Sequence, residues 1–295
     1  MIENFIKNNN YEYYKDISLK KYNTYKLEAL CKFLIYPNTV SQLLDLLDYL
    51  RKNNINYLIL GNGSNVILDR EVFEVIIKLD HFNKIDINNN IVVAEAGVSL
   101  SYLSHICMQN NLSGLSFAGG IPGLVGAATV TNAGAYQEDM ANIVKEVKVI
   151  TPNLQIKTMN KDDLAFSYRN SFLKHHKDYV CLETTFELAL GESIKIKDVM
   201  DDRKRRRTLS QPLDLPSAGS VFRNPEGLYA GKLIEDLGLK GYRIGGAQIS
   251  EKHANFIVNT GEATSRDILD LIGFIKSEVK KKYNIDLTLE QEIIR

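Results

Sequence analysis

Apolar residues recur at three- and four-residue spacings between Val40 and Lys52, with Val40, Leu43, Leu44, Leu47 and Leu50 on one face, and this predicts an amphipathic helix. Pro37 precedes it, and Asn38 or Thr39 supplies the cap. The apolar run Tyr57 to Leu60 then leads through Gly61-Asn62-Gly63-Ser64-Asn65 into Val66-Ile67-Leu68, a strand, a glycine loop and a strand in quick succession. Further strands are predicted at Val75 to Leu79, Ile91 to Ala94, Val147 to Ile150 and Tyr179 to Glu187, with a helix over Leu100 to Gln109. The clearest helix is Ser265 to Tyr283, where Ile268, Leu269, Leu271, Ile272, Ile275 and Val279 form the apolar stripe.

Strands outnumber helices and do not alternate with them, so the pattern favours α+β over a doubly wound parallel sheet. The charge-dense stretch Lys195 to Arg207 and the prolines between Gln211 and Ser217 mark a boundary, after which the pattern restarts. We therefore divide the chain near residue 195, with a C-terminal domain over 196–295.

The glycine loops carry the first chemical signal. Glycine lets the backbone approach an anion while successive N–H groups and short side chains donate to it, so Gly61, Asn62, Gly63, Ser64 and Asn65 are candidate ligand residues. A dinucleotide fingerprint of the Rossmann kind needs a helix directly after the loop, and Val66-Ile67-Leu68 reads as a strand instead. Alone, the loop fits a hairpin turn as well as an anion site. In the second loop, Ala118 to Ala128, Pro122 and Gly123 are placed to open a helix whose N-terminal N–H groups suit a diphosphate. A buried helix crossing would use the same small residues. Together the two loops suggest a dinucleotide laid across a cleft.

Composition narrows the classes. The 36 basic and 36 acidic residues cancel, which leaves no broad positive field for nucleic acid or an anionic membrane. Three scattered cysteines without a CxxC spacing suit buried free thiols in a reducing compartment. Five unclustered histidines argue against a metal site. We read no apolar stretch of signal-peptide or membrane-span length, so a cytoplasmic protein is expected, with no obligate protein partner.

Taken in order, Asn23-Thr24, GNGSN (61–65), GIPGLVG (120–126), NAGAY (132–136), SYRNS (167–171), SAGSVFRNP (217–225) and LEQEI (289–293) resemble one family, the UDP-N-acetylenolpyruvoylglucosamine reductases. The resemblance extends from about Lys20 to Arg295, with an alanine, Ala127, where the family usually has a second glycine. It implies a vanillyl-alcohol-oxidase-like (PCMH) FAD-binding region of two α+β subdomains, 1–75 and 76–195, followed by an α+β substrate-binding domain. It also implies the shorter form of the enzyme and a ping-pong cycle in which NADPH reduces non-covalently held FAD before a UDP-sugar enters the same cleft.

The implied catalytic residues are Arg169, Ser220 and Glu290: a planar cation for the substrate carboxylate, a proton donor, and a carboxylate near both. Asn23, Thr24, Gly61 to Asn65, Gly120, Ile121, Pro122, Gly123, Gly126, Asn132, Gly134 and Ala135 are implied FAD contacts. Tyr168, Arg223, Asn224 and His253 are candidate substrate contacts. The basic run Arg203 to Arg207 reads as a solvated helix end and stays outside this set. Two rivals are an oxidase on the same FAD domain and a catalytically silent nucleotide-binding module. The first usually tethers its flavin through a histidine or cysteine, which neither loop contains; the second predicts loss of one of the three catalytic residues, and all are present.

Overall fold

The computed structural model describes residues 2–295. The chain folds into two compact units, each drawn from several stretches of sequence: 1–15, 32–61 and 74–205 in the first, and 16–31, 62–73 and 206–295 in the second. The second unit thus takes two short segments from the N-terminal part of the sequence and begins its long segment inside the helix Ser193–Ser210.

In the first unit, a four-stranded sheet runs in the order Glu12–Ser18, Leu30–Tyr36, Val72–Ile77, Tyr57–Ile59, with the last two strands parallel. The helix Val40–Lys52 covers it, capped by the Thr39 hydroxyl accepting from the Gln42 N–H. Leu43, Leu46, Leu47 and Leu50 are sealed against Phe33, Ile35, Val75 and Ile77. A second, five-stranded antiparallel sheet has the order Ile156–Asn160, Val144–Ile150, Val180–Glu187, Ile91–Glu95, Ile85–Asn88. Helices Leu100–Gln109 and Val125–Thr131 contribute Leu103, Cys107, Val125 and Ala128 to its core.

The second unit is organised by the helix Ser265–Tyr283, whose capping box joins Thr264 to Asp267. Its buried face, Ile268, Leu271, Ile272, Ile275 and Val279, shares a core with the antiparallel strands Arg243–Ile244, Ala247–Ile249 and Ile257–Asn259. Strand Val66–Leu68 pairs in parallel with Glu292–Ile294.

That pairing corrects the hairpin alternative for residues 61–65. The strands on either side of the loop lie in different sheets, Tyr57–Ile59 beside Val72–Ile77 and Val66–Leu68 beside the C-terminal strand. The loop carries the chain from one sheet to the other. All three cysteines are buried free thiols, and burial pushes Cys107 and Cys181 up to about 12, which keeps them protonated and unreactive. Among the described residues, no helix is long and apolar enough to cross a membrane.

Candidate active site

Within the first unit, Gly61 neighbours the second glycine motif. A Cβ built on Gly61 would stand 3.4 Å from the Ala127 side chain and 4.0 Å from Leu124, so the loop entrance abuts the helix that follows the second motif. That helix begins at Val125, two residues beyond Gly123. Its first N–H groups are not bare, which corrects the sequence expectation: Val125 and Gly126 donate to the Val98 and Ala96 carbonyls at 2.8 and 2.9 Å. Gly126 is required by packing, since a Cβ there would come within 2.7 Å of Ala96 Cβ. Gly120 is exposed, Ile121 is half-buried with its N–H donated to the Ala118 carbonyl, and Pro122 is exposed beside the buried Gly123.

Arg169 is held in a strained turn. Ser167 and Asn170 exchange backbone hydrogen bonds at 3.0 and 3.1 Å, leaving Tyr168 and Arg169 as the central pair, and Arg169 has φ +55°. A left-handed non-glycine residue carries a penalty of order 1–3 kcal/mol, which surrounding structure must offset. Here the guanidinium donates to the carbonyls of Gly134 and Asn132, lies 5.2 Å from the Tyr168 ring centre, and the Lys174 ammonium donates to the Arg169 carbonyl at 3.0 Å. Gly134 and Ala135 form one arm of a tight hairpin with Glu138 and Asp139, and its two central residues, Tyr136 and Gln137, are also left-handed. Arg203 clamps this hairpin by pairing with Glu138 at 2.5 Å and lying over the Tyr136 ring. One member of the basic run therefore has a structural post.

Asn132 braces the same region from beneath. It is buried in the left-handed conformation, and its side chain donates to Asp139 and the Ser167 carbonyl while accepting from the Ala141 N–H. With its polar atoms so occupied, Asn132 contributes by shaping the Arg169 turn.

In the second unit, Asn23 and Thr24 support the loop at Gly63. The buried Asn23 side chain donates to the Leu19 and Leu27 carbonyls, and the Thr24 N–H and hydroxyl both donate to the Gly63 carbonyl. Gly63 has φ +61°, and a Cβ on it would stand 2.7 Å from Asn23 Cα. Asn62 and Ser64 are half-buried or more open than the buried Gly63, and Asn65 donates its side-chain amide to the Glu290 carbonyl at 3.2 Å. The Glu292 N–H returns a bond to the Asn65 carbonyl, so this loop and the LEQEI segment are stitched together.

Ser220 and Glu290 lie on two facing backbones. Phe222 and Leu289 form an antiparallel bridge, Glu290 donates its N–H to the Val221 carbonyl at 2.9 Å, and Arg223 donates to the Thr288 carbonyl. On one flank, buried Asn255 exchanges side-chain hydrogen bonds with the Phe222 backbone and accepts the Val221 N–H on its own carbonyl. On the other, buried Gln291 donates to the Ala218 and Gly219 carbonyls and accepts from the Tyr25 hydroxyl. Ser220 itself is half-buried, and its hydroxyl has no hydrogen-bond partner among the described residues. Sequence reasoning missed both braces; a polar residue inside an apolar segment, as in Ala254-Asn255-Phe256-Ile257, was the available signal.

The remaining candidates divide by exposure. Tyr168 is half exposed beside Arg169 in the first unit. In the second, the Arg223 side chain has a buried Nε without a hydrogen-bond partner, and Asn224 accepts from the Ala230 N–H at the start of a helix. His253 Nδ1 accepts the Asn255 N–H at 3.2 Å, which places the proton of the neutral ring on Nε2, and burial holds its pKa below the ordinary range.

Two family models match this chain: an FAD binding domain over residues 31–160, and the C-terminal domain of UDP-N-acetylenolpyruvoylglucosamine reductase over residues 211–294. Among curated proteins, the UDP-N-acetylenolpyruvoylglucosamine reductase of Clostridium perfringens (strain SM101 / Type A) is 42% identical over 280 residues, covering 95% of this chain and 92% of its own. That of Caldanaerobacter subterraneus subsp. tengcongensis is 41% identical over 282 residues, covering 95% and 93%. The crystal structure of the Thermus caldophilus reductase superposes with a TM-score of 0.80 at 32% identity, covering 97% of this chain and 99% of that one. A likeness of fold alone extends to the BBE-like 1 protein of Physcomitrella patens, with a TM-score of 0.51 at 16% identity over 64% of this chain and 44% of that one. Near-complete coverage at such identity places the α+β fold, the FAD-binding domain and the C-terminal domain in one frame: the chain belongs to the UDP-N-acetylenolpyruvoylglucosamine reductases, flavin oxidoreductases of peptidoglycan synthesis.

Proposed function

We propose that this protein catalyses the NADPH-dependent reduction of UDP-N-acetylglucosamine enolpyruvate to UDP-N-acetylmuramate in the cytoplasm, with FAD held non-covalently. Neither glycine loop contains a carboxylate, and a buried lysine stands behind Gly61, a donor set that fits a dianionic diphosphate. Residues 61–65 and 120–126 would hold that diphosphate. Transfer of a hydride from NADPH to the terminal enolpyruvyl carbon is the chemistry FAD supplies when bound.

Hydride addition at the terminal carbon leaves negative charge on C2, delocalised into the carboxylate. The Arg169 guanidinium binds that carboxylate, and because its geometry is fixed before the substrate arrives, little reorganisation opposes charge development. Ser220 donates its hydroxyl proton to C2, which completes the reduction. Glu290 orients the cationic and protonated groups around the same carboxylate. Tyr168, Arg223, Asn224 and the Nε2–H of His253 supply further donors for the sugar nucleotide.

One observation carries this reading: a serine hydroxyl without an internal partner sits on a backbone pinned from both flanks by Asn255 and Gln291. Ser220→Ala tests it. NADPH should still bleach the flavin absorbance of the variant, while product formation falls by at least about 100-fold. A variant that forms product at the wild-type rate removes Ser220 from the mechanism.

A further inference from the structure

Lys78 is the only charged residue among the buried residues of the described chain, at 4% exposure. It lies at the end of the central strand, its N–H donating to the Ile35 carbonyl, and its ammonium donates to the Gly61 carbonyl at 2.7 Å. The other partner is Asp80, 3.2 Å away, whose side chain is 45% exposed. Burying an ammonium is costly, and a neutral amide or hydroxyl would tie down one carbonyl oxygen with less desolvation. The Asp80 charge is largely solvated, so it neutralises Lys78 only in part.

We propose that Lys78 is a positioning residue for the cofactor diphosphate, a fixed positive charge behind the first glycine loop. This rests on the reading of residues 61–65 as part of the FAD site. By donating to the Gly61 carbonyl, Lys78 polarises the 61–62 peptide and strengthens its N–H as a donor toward an anion. It also sets the direction in which the loop leaves the sheet. The bound anion gains a cation without a solvent-facing side chain whose rotamers must be ordered.

FAD titration of flavin-stripped full-length protein, followed by quenching of flavin fluorescence, tests the proposal. Lys78→Met should weaken FAD binding by about tenfold or more, and Lys78→Arg should recover most of that loss. Asp80→Asn separates charge from scaffolding. If Lys78 acts through its field, removing the neighbouring anion tightens FAD binding by about two- to fivefold. If Lys78 is only a structural tie, Asp80→Asn leaves a buried charge less well paired and binding weakens or stays level, which overturns the proposal. Lys78→Met with wild-type affinity overturns it as well. Wild-type protein that binds no FAD overturns the cofactor reading, and this inference with it.

Discussion

The Gln291 side-chain amide donates to the carbonyl oxygen of Gly219 at 3.2 Å. Gln291 directly follows Glu290 and Gly219 directly precedes Ser220, so two proposed catalytic positions share one buried brace. Gln291→Leu would leave the Ala218 and Gly219 carbonyls and the Tyr25 hydroxyl without their partner. Urea unfolding should show a loss of about 1–3 kcal/mol. Stopped-flow measurement should show flavin reduction by NADPH unchanged and the product-forming half-reaction slowed.

At Gly63 the left-handed backbone and the closeness of Asn23 Cα act together. Alanine there meets both the conformational penalty, of order 1–3 kcal/mol, and a steric conflict. Gly63→Ala should lower stability by that order and weaken FAD affinity, read by thermal unfolding and by flavin fluorescence. Gly227→Ala makes a suitable control, because φ +69° is retained there with nothing within 4 Å of the added Cβ.

Arg169→Lys keeps the charge but loses the planar fork that reaches both Asn132 and Gly134. Steady-state kinetics should show a higher KM for the enolpyruvyl sugar and a kcat lowered by about 100-fold. The KM for NADPH should hardly change, since the nicotinamide substrate carries no enolpyruvyl carboxylate.

His253 gives a pH signature. Burial lowers its pKa in the folded protein, so it folds neutral and takes up a proton on unfolding once the pH falls below its ordinary value of about 6.5. Its contribution is constant above that value and turns against the fold as pH drops from about 6.5 toward 5. Urea midpoints measured across that window should decline in the wild type and decline less in His253→Gln.

Local pattern was enough for elements whose burial repeats along the chain. Ser265–Tyr283 and Leu100–Gln109 have the bounds that periodicity predicts. It was not enough where a distant segment decides the outcome. Val66–Leu68 was legible as a strand, but its partner Glu292–Ile294 is far along the chain, and no two-residue turn announces a parallel pair. The helix expected to open at Pro122-Gly123 begins at Val125, and the Val98 and Ala96 carbonyls claim its first N–H groups. Lys78 interrupts the apolar run Val75 to Leu79, and a buried charge at the end of a buried strand was the available clue. The Arg169 motif was recognisable, but its strain depends on left-handed dihedrals that arginine, tyrosine and glutamine do not advertise.

The parallel pairing of Val66–Leu68 with Glu292–Ile294 also orders events during biosynthesis. A ribosome adds about 5–20 residues per second, so the earlier strand waits roughly 10–45 s for the later one to be made. Until then strand Val66–Leu68 lacks its partner strand, and the GNGSN loop is held at Gly61 by Lys78 and at Gly63 by Thr24 but not yet at its Asn65 end. Cofactor loading is therefore expected to be post-translational, and chains stalled short of residue 292 should emerge colourless and vulnerable to proteases at this loop.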